Sequence, residues 1–286
     1  QMNTLSIHLF PHELIGYKRV VEHLNLSFFN IPINDVKVDV CLNMNPDIIE
    51  CKKQHATQII DEFMYITETL NVRRDININK KPNFLGVNEH RRYTINTSLD
   101  TDTIIYLDCD LHFNIKLLGL MIRYSTHLLS QNKMFILTPQ CVRLWDSSWD
   151  CLVNKYFVKN QLGFYKNINP VKIAKKTYGD VSLNKSKQFK WAGGWFTGMS
   201  AKLAKLIGIP RRFKGYGPDD TFMMKCCELL NKNKYDVEQY IISGMVVCED
   251  TQSSKNETMF KENIIDFRME CNKHFQNEVD IFSKKL

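Results

Sequence analysis

Apolar residues recur along this chain with two different periods, and the switching between them sets out its elements. Residues 4–10 (TLSIHLF) read as a strand ended by Pro11, and residues 13–27 follow with helical spacing in Leu14, Tyr17, Val20, Val21 and Leu24. Residues 36–42 are β-branched and alternating, which predicts a second strand, and residues 47–70 carry a second long helical pattern. Residues 103–107 (TIIYL) are apolar without alternation and carry no charge, the pattern of a strand buried on both faces. A helix over 115–129, a buried strand over 133–139, helices over 201–206 and 222–230 and a strand over 240–248 come next. A final amphipathic helix, about 259–282, is expected to pack across the back. Strand, helix, strand, helix, strand is the order of a doubly wound α/β domain with a parallel core.

The buried strand at 103–107 runs straight into Asp108-Cys109-Asp110. Ligands of open α/β sheets bind at the carboxyl ends of the strands, so two carboxylates are delivered where a ligand would sit. Hard oxygen donors there suit Mn²⁺ or Mg²⁺ and, through the ion, a diphosphate. The plainer alternative is that both aspartates only form the turn after a strand. Arg91 and Arg92, near the start of a predicted helix, suit a phosphate, or are a solvated pair on a helix surface. Residues 145–169 gather Trp145, Trp149, Tyr156, Phe157, Phe164 and Tyr165, a set that suits either core packing or stacking on a sugar ring.

Further on, Gly193-Gly194-Trp195 leads through Ser200 into a helix, and Gly215-Tyr216-Gly217-Pro218 feeds Asp219-Asp220 at the start of another. Paired glycines let backbone approach a ligand closely. A helix N-terminus keeps carboxylates ionised, though the pair also makes sense as a simple cap.

Composition narrows the picture. The 286 residues are 44% hydrophobic and 24% charged, ordinary values for a globular protein. No apolar run approaches the roughly 20 residues a membrane span needs. The nine cysteines are scattered without a Cys-x-x-Cys pair, which points to a reducing, cytoplasmic setting, with an anchor upstream of Gln1 left open. The net charge of +7 is spread along the chain rather than gathered, so no nucleic acid is expected as a partner and an anionic small ligand fits better.

Four segments in this order resemble the GT-A glycosyltransferases, most closely the inverting β-1,4-galactosyltransferase-like branch. They are the strand into Asp108-Cys109-Asp110, Gly193 to Ser200, Gly215 to Asp220, and Met245-Val246-Val247-Cys248. The resemblance implies one Rossmann-like GT-A domain over 1–286 with a mixed, mainly parallel sheet flanked by helices. Residues 1–112 would form its nucleotide-binding half, 113–250 its acceptor-binding half and 251–286 a helical extension. It also implies a nucleotide-sugar donor, UDP-linked, and a glycan or other hydroxyl acceptor. Asp220 would then be the base and Asp219 would bind acceptor hydroxyls. Asp110 would ligate the metal, with Asp108 holding the metal shell or the ribose, and Met245 and Cys248 would complete the metal motif. Trp195 or Trp191, with Gly193 and Gly194, would line the sugar site. Arg91 or Arg92 would touch the diphosphate and Asp39, at the end of the second strand, the nucleobase.

Three departures stand out. Cys248 occupies the place of the family's histidine ligand, the glycine-to-serine spacing is two residues longer, and the acidic motif is shortened to Pro-Asp-Asp-Thr. Two other functions compete. A haloacid-dehalogenase-like phosphatase would use Asp108 as nucleophile and Asp110 as acid/base. A non-catalytic nucleic-acid- or sugar-binding protein would use the basic charge and the aromatic loop.

Overall fold

The computed structural model describes residues 1–47, 49, 52–82, 86–142, 152–157, 169–186, 189, 195–215, 217–249 and 264–286, leaving aside the side chains of 264–268. One mixed sheet runs through them. β1 (Asn3–Leu9), β2 (Val36–Asn43), β3 (Arg73–Asn79) and β4 (Thr103–Leu107) are parallel to one another, in the order β3-β2-β1-β4. β8 (Phe196–Ser200) joins β4 antiparallel, and β6 (Met134–Cys141) joins β8 antiparallel. β9 (Val237–Glu249) is parallel to β6 and carries both β5 (Leu111–His112) and β7 (Thr177–Lys185) antiparallel.

Among the described residues, α1 (Leu14–Phe28), α2 (Lys53–Glu68), α3 (Val87–Thr97), α4 (Leu117–Ser130) and the short α5 (Pro170–Ala174) flank this sheet. Next come α6 (Ala201–Ile207), α7 (Asp219–Lys232) and α8 (Ile264–Ser283). Among the described residues no helix is long and apolar enough to cross a membrane.

The sequence pattern explains the core directly. Every residue of β4 is buried, with Ile104, Ile105 and Leu107 at most 1% exposed. Each such side chain contributes about 1.5–3 kcal/mol by leaving water, which fixes β4 at the centre and its carboxyl end in the middle of the sheet edge. Strand alternation then sorts the helices. Tyr106 lies under the guanidinium of Arg91 on α3, whereas a Cβ on Gly198 of β8 would meet both Ile105 and Met121 of α4. α3 and α4 therefore cover opposite faces.

The expected α/β domain with a mixed sheet flanked by helices is what the structure shows, and three details change. β8, hidden in a glycine-rich run, enters the sheet antiparallel between β4 and β6. β3 was not foreseen, because RRDININ is an edge strand with partly exposed positions. α8 does not cross the back. It packs on α7 through Phe222–Phe282 and on the loop before α7 through Phe213–Phe275. Of the aromatic stretch, Trp145, Trp149, Phe164 and Tyr165 lie outside the described residues. Phe157 is buried edge-on against Tyr178 at 5.0 Å, and Tyr156 also contacts that ring at 5.5 Å.

Candidate active site

The antiparallel pairing of β4 with β8 sets the first side of the site. Leu107 pairs with Phe196, so the next residue outward, Asp108, donates its N–H to the Trp195 carbonyl at 2.9 Å. Asp108 and Trp195, distant in sequence, thus stand together at the strand ends. Gly193, Gly194 and Trp191 lie outside the described residues. Asp110 is half-buried, one residue before β5.

α7 supplies the second side. Asp219 and Asp220 form its first turn, where the helix dipole favours negative charge. Asp219 is buried, and Arg91 Nη1 donates to its Oδ2 at 2.7 Å. With the Asn88 amide oriented to satisfy both of its ends, its nitrogen donates to Asp219 Oδ1 at 3.1 Å and its oxygen accepts the Gly217 N–H at 3.0 Å. Both oxygens of Asp219 are therefore engaged inside the protein. Asp220 is half-buried and accepts the Thr221 N–H through Oδ1 at 2.7 Å.

Arg91 joins the two sides. Its Nη2 stands 3.7 Å from Asp108 Oδ1, and its guanidinium lies 4.5 Å from the centre of the Tyr106 ring. Burial alone would lower its pKa, but Asp219 and Asp108 more than offset that and raise it. It is a permanent buried cation. Arg91, Tyr106, Thr197, Asp219 and Asp220 line one gap of about 10 Å³, the size of a single water, so nothing larger fits behind the carboxylates. Among the described residues the Tyr106 hydroxyl has no hydrogen-bond partner, and burial keeps it protonated.

The loop before α7 is fastened to α3. The Asn88 N–H donates to the Gly215 carbonyl at 3.2 Å, and the Gly215 N–H donates to the Glu89 carboxylate at 3.1 Å. Gly215 has φ of 66°, which favours glycine, and a Cβ on Gly217 would come within 2.6 Å of the Asn88 amide and push it off Asp219. Cys271 of α8 closes the loop from outside, its thiol 3.2 Å from the Lys214 carbonyl. Arg92 belongs to this fastening as well. It donates to the Pro210 and Phe213 carbonyls and to Glu89, at 2.9, 3.1 and 3.2 Å, so its donors are committed to the protein.

The electrostatics of the site are lopsided. The Asp108 carboxyl is pushed above the usual aspartate range, first by desolvation and then by Asp110, Asp219 and Asp220, with Arg91 opposing. Its side chain keeps 44% of its exposure, so solvent screens part of that repulsion. Three further carboxylates acting on Asp108 against one guanidinium favour an added cation, and a hard divalent ion is commonly held by one or two carboxylates plus a substrate phosphate. Asp108 and Asp110 fit that arrangement.

The rest of the expected metal set does not assemble. Among the described residues no three His, Cys, Asp or Glu side chains stand together as a metal site. Cys248 is buried opposite His112 on β5, its thiol pushed up to about 12 by burial, and so protonated and soft. Met245 lines a separate cleft with Thr177 and Val181. Asp39 is corrected too. It is the fourth of eight residues in β2, not at its end, and is 1% exposed beneath α3. There its Oδ2 accepts from Thr94 Oγ1 at 2.8 Å.

Sequence reasoning missed Asn88 and Glu89. The signal was present in the helical spacing, since each stands three residues before one of the two arginines and so shares its side of the helix. It also missed polar groups at the carboxyl edge of β1–β3, where Asn43 Nδ2 lies 3.3 Å from His8 Nε2 and Asn79 donates to Asn43 Oδ1 at 3.4 Å.

No protein-family model matches the sequence, and no curated protein matches it. Solved structures with similar chain traces include "S. aureus TarS 1-349", at 11% identity and a TM-score of 0.46 over 85% of this chain. This chain spans 60% of that TarS chain. HddC from Yersinia pseudotuberculosis is similar at 9% identity and a TM-score of 0.44, over 90% of this chain and 96% of that one. A UDP-glucose pyrophosphorylase complexed with UDP-glucose is similar at 7% identity and a TM-score of 0.41, over 96% of this chain and 99% of that one.

Proposed function

We propose that this chain is a metal-dependent glycosyltransferase that moves a sugar from a UDP-linked donor to a hydroxyl of a glycan or other acceptor, with inversion. The observation that supports this is the gathering of Asp108, Asp219 and Asp220 around one buried guanidinium, with Asp110 two residues beyond Asp108. Asp220, partly exposed at a helix N-terminus, is the base. It takes the proton of the acceptor hydroxyl while that oxygen bonds to the anomeric carbon. The bond from that carbon to the diphosphate breaks on the opposite side, and the nucleoside diphosphate leaves with the electron pair.

Asp219, with both oxygens engaged, fixes Arg91 rather than receiving acceptor hydroxyls. Arg91 presents its charge towards the leaving diphosphate, while the Trp195 side chain, 3% exposed, is packed in the core and does not border the sugar. Asp108 and Asp110 would hold Mn²⁺ or Mg²⁺, which supplies charge neutralisation to the diphosphate when bound. UDP or a UDP-sugar is expected to raise the melting temperature only when Mn²⁺ is present, and Asp110→Ala is expected to abolish the shift. No shift with any nucleotide, together with hydrolysis of a simple phosphate ester, would transfer the assignment to a phosphatase.

A further inference from the structure

The face carrying α1 and α4 lies across the sheet from Arg91 and Asp219, and the activity proposed above does not use it. Its outer surface breaks the usual rule that large apolar side chains turn inward. Phe29 is 81% exposed, Leu26 51% and Ile33 44%, all gathered at the carboxyl end of α1 and the turn after it. Ile15 continues the row near the start of the same helix.

Beside them, between α1 and α4, runs an open cleft whose lining includes Asn30 and Pro32 next to the exposed apolar residues. Four cations, Lys116, Arg123, Lys175 and Lys176, also line this cleft, against one carboxylate, Asp35. All four are exposed, and none forms an ion pair among the described residues. By contrast, the lysines of the β6–β9 side are neutralised by acids, as Lys133 is by Asp236 and Glu238. Projecting apolar side chains flanked by unpaired cations make a surface that needs both an apolar layer and a plane of negative charge.

We infer that the α1–α4 face docks on an anionic lipid bilayer, with Phe29, Leu26 and Ile33 entering the headgroup region and the four cations facing the charged surface. A membrane supplies both features over this width at once, which a small anion does not. Docking by this face leaves Arg91 and Asp219 on the other side of the sheet.

Flotation of the whole chain with vesicles tests this. Vesicles of equal parts phosphatidylcholine and phosphatidylglycerol are expected to carry the protein, pure phosphatidylcholine vesicles are not, and added salt is expected to release it. Each cation removed, as in Lys175→Glu or Arg123→Glu, is expected to weaken partitioning by at least roughly fivefold. Phe29→Ser is expected to weaken it as well, while the UDP-dependent thermal shift stays unchanged. The comparison of the two vesicle types with the unaltered protein decides the matter even where a variant loses stability. Equal flotation on both types, or none on either, would overturn the inference. So would concentration-dependent self-association without lipid that Phe29→Ser abolishes, which would assign the face to a second copy of the chain.

Discussion

Arg91 meets one aspartate from each pair of the candidate site, and the protein treats the two in opposite ways. At the start of α7, Asp219 is locked, with Arg91 on one oxygen and Asn88 on the other, and its side chain is 8% exposed. At the end of β4, Asp108 is held less tightly by the same guanidinium. Asp108 meets Arg91 only at 3.7 Å and keeps 44% of its side-chain exposure, and Asp110 beyond it is half-buried. One guanidinium thus anchors Asp219 firmly on one side and meets Asp108 more loosely on the other. The locked carboxylate orders the loop and helix.

The comparison breaks most visibly if the lock is removed. Arg91→Met strands a buried carboxylate and is expected to cost about 3–5 kcal/mol in denaturant unfolding, while Arg91→Met combined with Asp219→Leu recovers much of it. A loss of only about 0–1 kcal/mol, the range of an exposed pair, would show that Asp219 is not locked. Next in size, Gly217→Ala pushes a Cβ to 2.6 Å from Asn88 and is expected to cost about 1–3 kcal/mol. Gly119→Ala in α4 meets only Ile31, at 3.7 Å, and is expected to stabilise by about 0.5–1 kcal/mol, which makes it a control on helical glycine.

The looser contact is sharpened by pH. Because the folded protein raises the Asp108 pKa, it holds that proton more tightly than the unfolded chain does. The group's contribution is therefore complete below the ordinary aspartate value of about 3.9 and is lost as pH rises through the higher folded value. Asp108→Asn is expected to raise the melting temperature of the ligand-free protein at pH 8, with the gain shrinking as the pH falls to 5. The smallest expected effect belongs to Cys248→Ser, which should leave the Mn²⁺ dependence of UDP binding where it was.

The parts of this arrangement visible in the sequence are those set by local pattern. TIIYL is apolar, β-branched and uncharged, the pattern of a central strand, and that put Asp108 and Asp110 at the sheet edge. The Gly-Tyr-Gly-Pro turn likewise placed Asp219 and Asp220 at a helix start. What could not be read depends on partners far away in the chain. Phe196–Ser200 is short and glycine-containing, and only pairing with β4 makes it a strand running the other way. Asp39 was misjudged because it lies mid-strand in β2, where Thr94 of α3 covers it, a contact set by a residue 55 positions away. Glu89 reads as an ordinary helix-surface acid until Gly215, 126 residues on, is seen to donate to it.

The central claim is that Asp220 takes the acceptor proton while Asp219 only holds the frame. Turnover of a UDP-sugar by Asp220→Asn, measured beside its melting temperature, tests it most directly. The account predicts a fall of about 10²–10⁴ in rate with the melting temperature and the Mn²⁺-dependent UDP shift kept. Turnover equal to that of the unaltered protein, with the fold intact, would contradict it.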